Sequence, residues 1–203
     1  MAFDPIFTQR PSGGESRQPS LRMSTGQLGM VVFLASLGMV FAASLVAYFI
    51  TRYQSAVWRA PGAPGLPAGL WVSTVTMVLV SVALEYAKRC VKHNRLASLS
   101  RALLASAALA VLFLVAQALN WRQLAVAQIA PPVSLYGFTF YLLTGLHALH
   151  IVGGLVPLGI VWARARAREY SSSRYEGLRF CVQYWHFLGV VWLVLLASLE
   201  LWS

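Results

Sequence analysis

Acidic residues are scarce in this chain. Six Asp and Glu stand among 203 residues, against sixteen Lys and Arg. Charge of either sign makes up 11%, where a soluble domain carries about 25%. With 58% hydrophobic residues the chain is not disordered, because disorder needs low hydrophobicity and high charge. Cysteine is limited to Cys90 and Cys181, too few for a disulfide scaffold. The net charge of +10 first suggests an acidic partner. Nucleic-acid binders, however, gather basic residues on one polar folded face. Here they lie between long apolar runs, so the partner is the lipid bilayer and not nucleic acid.

A helix needs about 20 residues to cross the roughly 30 Å hydrocarbon core. Five segments meet that length, at about 26–50, 69–87, 102–121, 133–162 and 180–202. None alternates as a membrane strand does. Backbone in lipid must satisfy its own hydrogen bonds, so five helices follow. The fold class is an all-α membrane bundle, with residues 1–25 a flexible polar tail and 26–203 one transmembrane domain. The first apolar run is too long for a cleaved signal peptide. Residues 59–68, rich in Pro and Gly, form a loop.

The basic residues set the topology. Arg10, Arg17 and Arg22 precede the first helix, and Lys88, Arg89, Lys92, Arg95 and Arg101 lie between the second and third. Arg164, Arg166, Arg168, Arg174 and Arg179 lie between the fourth and fifth. The other side holds Arg52, Arg59 and Arg122. The positive-inside rule then puts the N-terminus in the cytoplasm and the C-terminus outside. Trp58, Trp71, Trp121 and Trp202 mark the outer boundary, and Tyr86, Trp162, Tyr170 and Tyr175 the inner one. Both cysteines sit at cytoplasmic helix ends, where thiols stay reduced.

Polar residues inside the membrane are the functional candidates. His147 and His150 share one face of helix four, and His186 lies on helix five. A haem held by two of them is disfavoured by depth. His186 is about six residues inside its helix, or roughly 9 Å, and His150 about twelve, or roughly 18 Å. No carboxylate or thiolate shares their depth, so no metal site is expected. Structural histidines are the default. Glu85 is expected to pair with Lys88 or Arg89, and Gln117 and Asn120 to bond across helices. Pro157, among Gly153, Gly154 and Gly159, predicts a kink and close helix approach. Ala102, Ser106 and Ala110 form a small-residue face on helix three. Gly38 with Ala42, and Ala43 with Ala47, do so on helix one. No inverted repeat or mid-membrane acid supports a transporter or proton pump.

The run Thr144-Gly145-Leu146-His147-Ala148-Leu149-His150-Ile151-Val152-Gly153-Gly154 resembles a stretch of subunit III of haem–copper oxidases. Tyr184-Trp185-His186-Phe187-Leu188-Gly189-Val190-Val191-Trp192 is similar to that family's closing Y-W-H-F-x-D-V-V-W. Phe33-Leu34-Ala35-Ser36 and Gln117-x-x-Asn120-Trp121 fall in family order, so the resemblance covers roughly 25–203. Three family carboxylates are replaced, by Leu37, Asn120 and Gly189. The chain therefore resembles a divergent five-helix bacterial member, and no proton-related role is carried over.

The resemblance implies a non-catalytic subunit in the bacterial inner membrane, with no haem or copper of its own. It would pack beside the catalytic haem–copper subunit I and other oxidase subunits. It would also hold phospholipid in a cleft between helices 1–2 and helices 3–5. Arg164 matches a family arginine that reaches lipid phosphate, a contact suited to a guanidinium. Glu176 also has a family counterpart. His147, His150, Trp185 and His186 complete the candidates for lipid or inter-subunit contact. Two other readings stand beside this one. The chain could be a subunit III-like accessory protein of a nitric oxide reductase, or an unrelated membrane carrier or haem-binding protein.

Overall fold

Hydrocarbon offers the backbone no hydrogen-bonding partner, and the chain answers with helix throughout its apolar runs. A computed structural model describes residues 24–55, 58, 66–126, 135–172 and 174–202. The expected tail up to residue 23, loop residues 59–65, positions 133 and 134 of the expected fourth helix, and the Trp202 side chain lie outside the described residues. The helices are α1 (Thr25–Gln54), α2 (Gly69–Lys92), α3 (Leu96–Val126), α4 (Leu135–Arg166) and α5 (Glu176–Trp202). All five are long and apolar enough to span a membrane.

Most helices outrun their apolar segments. Lys88, Arg89 and Lys92 extend α2, and Glu176 opens α5. Lys, Arg and Glu are good helix formers, so helix continues after hydrocarbon ends. Local signals then close it. Ser24 accepts from the Gln27 amide at 3.3 Å while Gln27 Oε1 accepts from the Ser24 amide at 3.2 Å, a capping box for α1. α2 and α4 end alike. Asn94 (φ 54°) and Arg168 (φ 57°) take the left-handed position. Arg95 N–H then bonds Cys90 O at 2.9 Å, and Glu169 N–H bonds Arg164 O at 3.1 Å. Such endings expose no carbonyl row to lipid. Ser172 N–H donates to Asn94 Oδ1 at 3.2 Å, so the two basic loops meet at one end of the bundle.

α4 touches α1, α3 and α5, and α5 touches α1, α2 and α4, while α2 lies against α3. The α2–α3 pair packs most extensively, with Ala102, Ser106 and Ala110 all buried. That small-residue face serves as expected. On α1 only Gly38 does, 3.8 Å from Phe187 by its virtual Cβ; Ala42, Ala43 and Ala47 are exposed. α1 and α2 do not touch each other. The expected cleft, with helices 1 and 2 as one wall against 3–5, is therefore not how the described bundle is divided. α2 closes on α3 instead, and α1 and α2 flank α5 separately. The cause is size: Ala102, Ser106 and Ala110 give α3 a flat face on which α2 can lie.

Side-chain latches fasten the contacts. Trp192 Nε1 donates to Thr74 Oγ1 at 3.0 Å, joining α5 to α2. Trp121 Nε1 donates to Thr144 Oγ1 at 3.0 Å, and Tyr141 OH to Trp121 O at 2.7 Å, joining α3 to α4. Tyr48 OH reaches Ser198 O at 3.4 Å, joining α1 to α5. Trp71 and Tyr86 are exposed, as belt residues should be, whereas Trp58 and Tyr170 turn inward and are buried.

Trp58 packs edge-on against Tyr48 (5.6 Å) and Tyr136 (5.8 Å), with the Arg52 guanidinium 5.4 Å over its ring. The cluster ties the C-terminal end of α1 to Trp58 and α4. Each aromatic pair contributes about 0.5–1.5 kcal/mol beyond area burial. Trp58→Ala should therefore raise hydrogen exchange at the C-terminal turns of α1 by roughly five-fold or more, with α2–α3 unchanged. Uniform exchange across all five helices would refute the anchoring role.

Candidate functional site

The two motif runs meet where α4 crosses α5. Gly154 allows the crossing: a Cβ there would sit 2.6 Å from Tyr184 Cε1 and 3.2 Å from Trp185 Cζ2. Gly153 and Gly159 have open space at the same test, so close approach belongs to Gly154 alone of the three. Tyr184 OH donates to His150 O at 2.8 Å and completes the contact.

The histidines do not converge. His147 is fully buried among Phe113 (5.7 Å), Trp192 (5.2 Å) and Phe41 (6.1 Å). Neither ring nitrogen has a hydrogen-bond partner among the described residues. His150 turns toward α1, with Phe41 at 5.0 Å, and its Nδ1 lies 2.7 Å from Leu146 O. His186 turns the other way, toward α2, and its Nε2 is 3.8 Å from Glu85 Oε2. Direction separates them more firmly than depth. Among the described residues no three His, Cys, Asp or Glu are close enough to share a metal ion. Trp185, like His147, has no exposed surface. Both therefore pack within the described bundle.

Glu85 pairs as its spacing suggests. Its carboxylate accepts from Lys88 Nζ at 3.1 and 3.2 Å. Its second neighbour, His186 on α5, was not legible because it is 101 positions away in sequence. Glu85 and His186 close one end of an apolar groove of about 500 Å³ between α2 and α5. Gly189 lies in that groove, its virtual Cβ 3.4 Å from Ser81 Oγ.

The three replaced carboxylates do not share a site. Leu37 packs into the core from α1. Gly189 faces α2. Asn120, buried on α3, donates to Ser73 Oγ at 3.4 Å, and a Cβ at Gly69 would collide with its Oδ1. Asn120 bonds across helices as expected. Gln117 differs, since neither of its amide atoms has a partner among the described residues.

Arg164 and Glu176 come together at the end carrying the basic loops. Arg164 Nε is 3.9 Å from Glu169 Oε2, both half exposed. With Tyr170, Arg174 and Glu176 they line a polar cavity of about 430 Å³. Burial pushes the Tyr170 hydroxyl above the usual phenol range, against the pull of the Arg164 guanidinium, so it remains a neutral donor. Glu169, Tyr170 and Arg174 had no signal in sequence beyond charge and a boundary aromatic. The tight turn bridging Ser171 and Arg174 brings them in.

A sequence model described as cytochrome c oxidase subunit III matches residues 18–203. Cytochrome c oxidase subunit 3 of Synechocystis sp. is 29% identical over 93% of this chain and 79% of its own. That of Thermostichus vulcanus is 28% identical, covering 85% of each chain. A probable cytochrome c oxidase subunit 3 of Mycobacterium bovis is 29% identical over 89% of this chain and 90% of its own. A match over nearly the whole length, carried by five membrane-length helices, places the chain in the cytochrome c oxidase subunit III family.

Proposed function

We propose that this chain is the non-catalytic subunit III component of a bacterial haem–copper terminal oxidase. It packs beside the catalytic subunit, which carries haem and copper, and stabilises it during aerobic electron transport. The family match over residues 18–203 carries this reading. The structure fits it: His147 and His150 pack near Phe41 while His186 turns away toward α2 and Glu85, a set unsuited to one shared haem or metal ion. Broad lipid-facing surfaces on α1, α2 and α4 leave room for a partner subunit.

The chain lies in the inner membrane with its basic loops in the cytoplasm and its C-terminus outside. The contact between those loops supports their lying on one side. It also holds structural phospholipid near Arg164. Purification of the native complex through a tag on this chain should recover a haem-bearing subunit and oxygen-reducing activity. Recovery of the chain with no haem-bearing partner would overturn the proposal. A partner that reduces nitric oxide instead would assign the chain to that complex.

A further inference from the structure

Two core side chains carry polar atoms that the bundle leaves unanswered. Gln117 of α3 and His147 of α4 are 1% and 0% exposed. Both amide atoms of Gln117 and both ring nitrogens of His147 are buried without a hydrogen-bond partner among the described residues. The helix register brings the two residues to one layer. Trp121 Nε1 bonds Thr144 Oγ1 at 3.0 Å and sets one level of the α3–α4 contact. The rings of Phe113 and His147, 5.7 Å apart, set a second. Gln117 lies between these levels, one turn from Trp121 and one turn from Phe113 on the same face of α3. His147 stands three positions from Thr144 on α4. Their polar neighbours have other engagements. Thr144 donates to Phe140 O at 2.7 Å and Thr76 to Ser73 O at 2.8 Å, while Asn120 turns to Ser73.

We propose that Gln117 and His147 hold an ordered internal water between α3 and α4. The donor set selects this ligand. A neutral imidazole offers one donor and one acceptor, and an amide side chain offers an acceptor oxygen and an N–H pair. A direct bond between them would use one polar atom of each and leave the other two. A water donates twice and accepts twice, so it can answer a donor on one helix and an acceptor on the other. Size points the same way. Neither a lipid nor a partner subunit reaches side chains with so little exposed surface. In hydrocarbon no solvent replaces a lost bond, so two such side chains are retained only where something answers them. The water adds a polar link to the α3–α4 contact, one layer further along α3 from the bond of Trp121 to Thr144.

The test is a cryo-EM map of the purified native complex, fine enough to show ordered water. Density is expected about 2.7–3.2 Å from a polar atom of each side chain. No density there, or a direct bond between Gln117 and His147 without water, would overturn the inference. Variants give a second readout. Gln117→Met and His147→Phe keep the approximate size and remove the polar atoms. Each alone leaves the opposite residue without its partner across the water. It should speed thermal loss of the monodisperse complex about tenfold, the scale of one unanswered buried group. The double variant leaves neither side chain unanswered and should decay no faster than the faster single variant. Rate increases that multiply in the double variant would show that the two residues are satisfied separately, and would overturn the shared site. Whether a haem-bearing subunit co-purifies is read in the same preparations and tests the oxidase assignment independently.

Discussion

Trp192→Ala should be the most damaging single truncation in the bundle. The Trp192 ring is 1% exposed and meets Phe113 at 4.9 Å and His147 at 5.2 Å. Its Nε1 also bonds Thr74 of α2 at 3.0 Å. One side chain of α5 thus touches α2, α3 and α4. In a bilayer the apolar drive between helices is weak, so packing and interhelical bonds decide stability. Removing a buried Trp costs about 3–5 kcal/mol in water-soluble cores, mostly through the cavity that remains. The lower end, about 3 kcal/mol, applies here because the separated helices would still lie in lipid. Trp192→Phe keeps most of the ring and loses the bond, at about 0.5–1.5 kcal/mol. Thermal loss of monodisperse protein in detergent should follow the order wild type, Trp192→Phe, Trp192→Ala. Equal midpoints for the two variants would show that the bond to Thr74, and not the ring, does the holding.

Hydropathy made the helices legible but left their faces hidden. Val80 is 0% exposed and Val82 60%, two residues apart on one helix. Leu103 and Leu104 are 0% and 55%. In a soluble protein the exposed member of each pair would tend to be polar. In a membrane both neighbours are apolar, so sequence does not separate a protein-facing residue from a lipid-facing one. The separation of α1 from α2 was invisible for the same reason. Local pairs fared better: Glu85 and Lys88 are one turn apart, and their bond follows from helical spacing. Small residues were ambiguous. Gly154 is a tight crossing and its neighbour Gly153 an open wall, and only the partner helix distinguishes them. The candidate site shows the same divide. Arg164 and Glu176 were marked by resemblance, but their shared cavity depends on a left-handed turn at Arg168 that no glycine announces.

Gly154→Ala should separate α4 from α5. Alanine normally favours helix over glycine by about 1 kcal/mol, so local propensity predicts a gain. The crossing predicts a loss. The new methyl would lie 2.6 Å from Tyr184 Cε1, well inside van der Waals contact. Tyr184 has little freedom to yield, because its hydroxyl bonds His150 O at 2.8 Å and its ring stacks on Phe33 of α1 at 6.1 Å. Trp185, fully buried behind it, blocks the other direction. Overpacking of this kind costs about 1–3 kcal/mol. The larger figure applies where neighbours are fixed, so the net loss should be about 2 kcal/mol after the propensity gain is offset. Gly153→Ala, one residue earlier on an open face, is the matched control. It carries the same propensity gain without a clash, and its thermal midpoint should equal or exceed wild type. If both variants rise together, the α4–α5 crossing has more slack than the Tyr184 and Trp185 contacts allow.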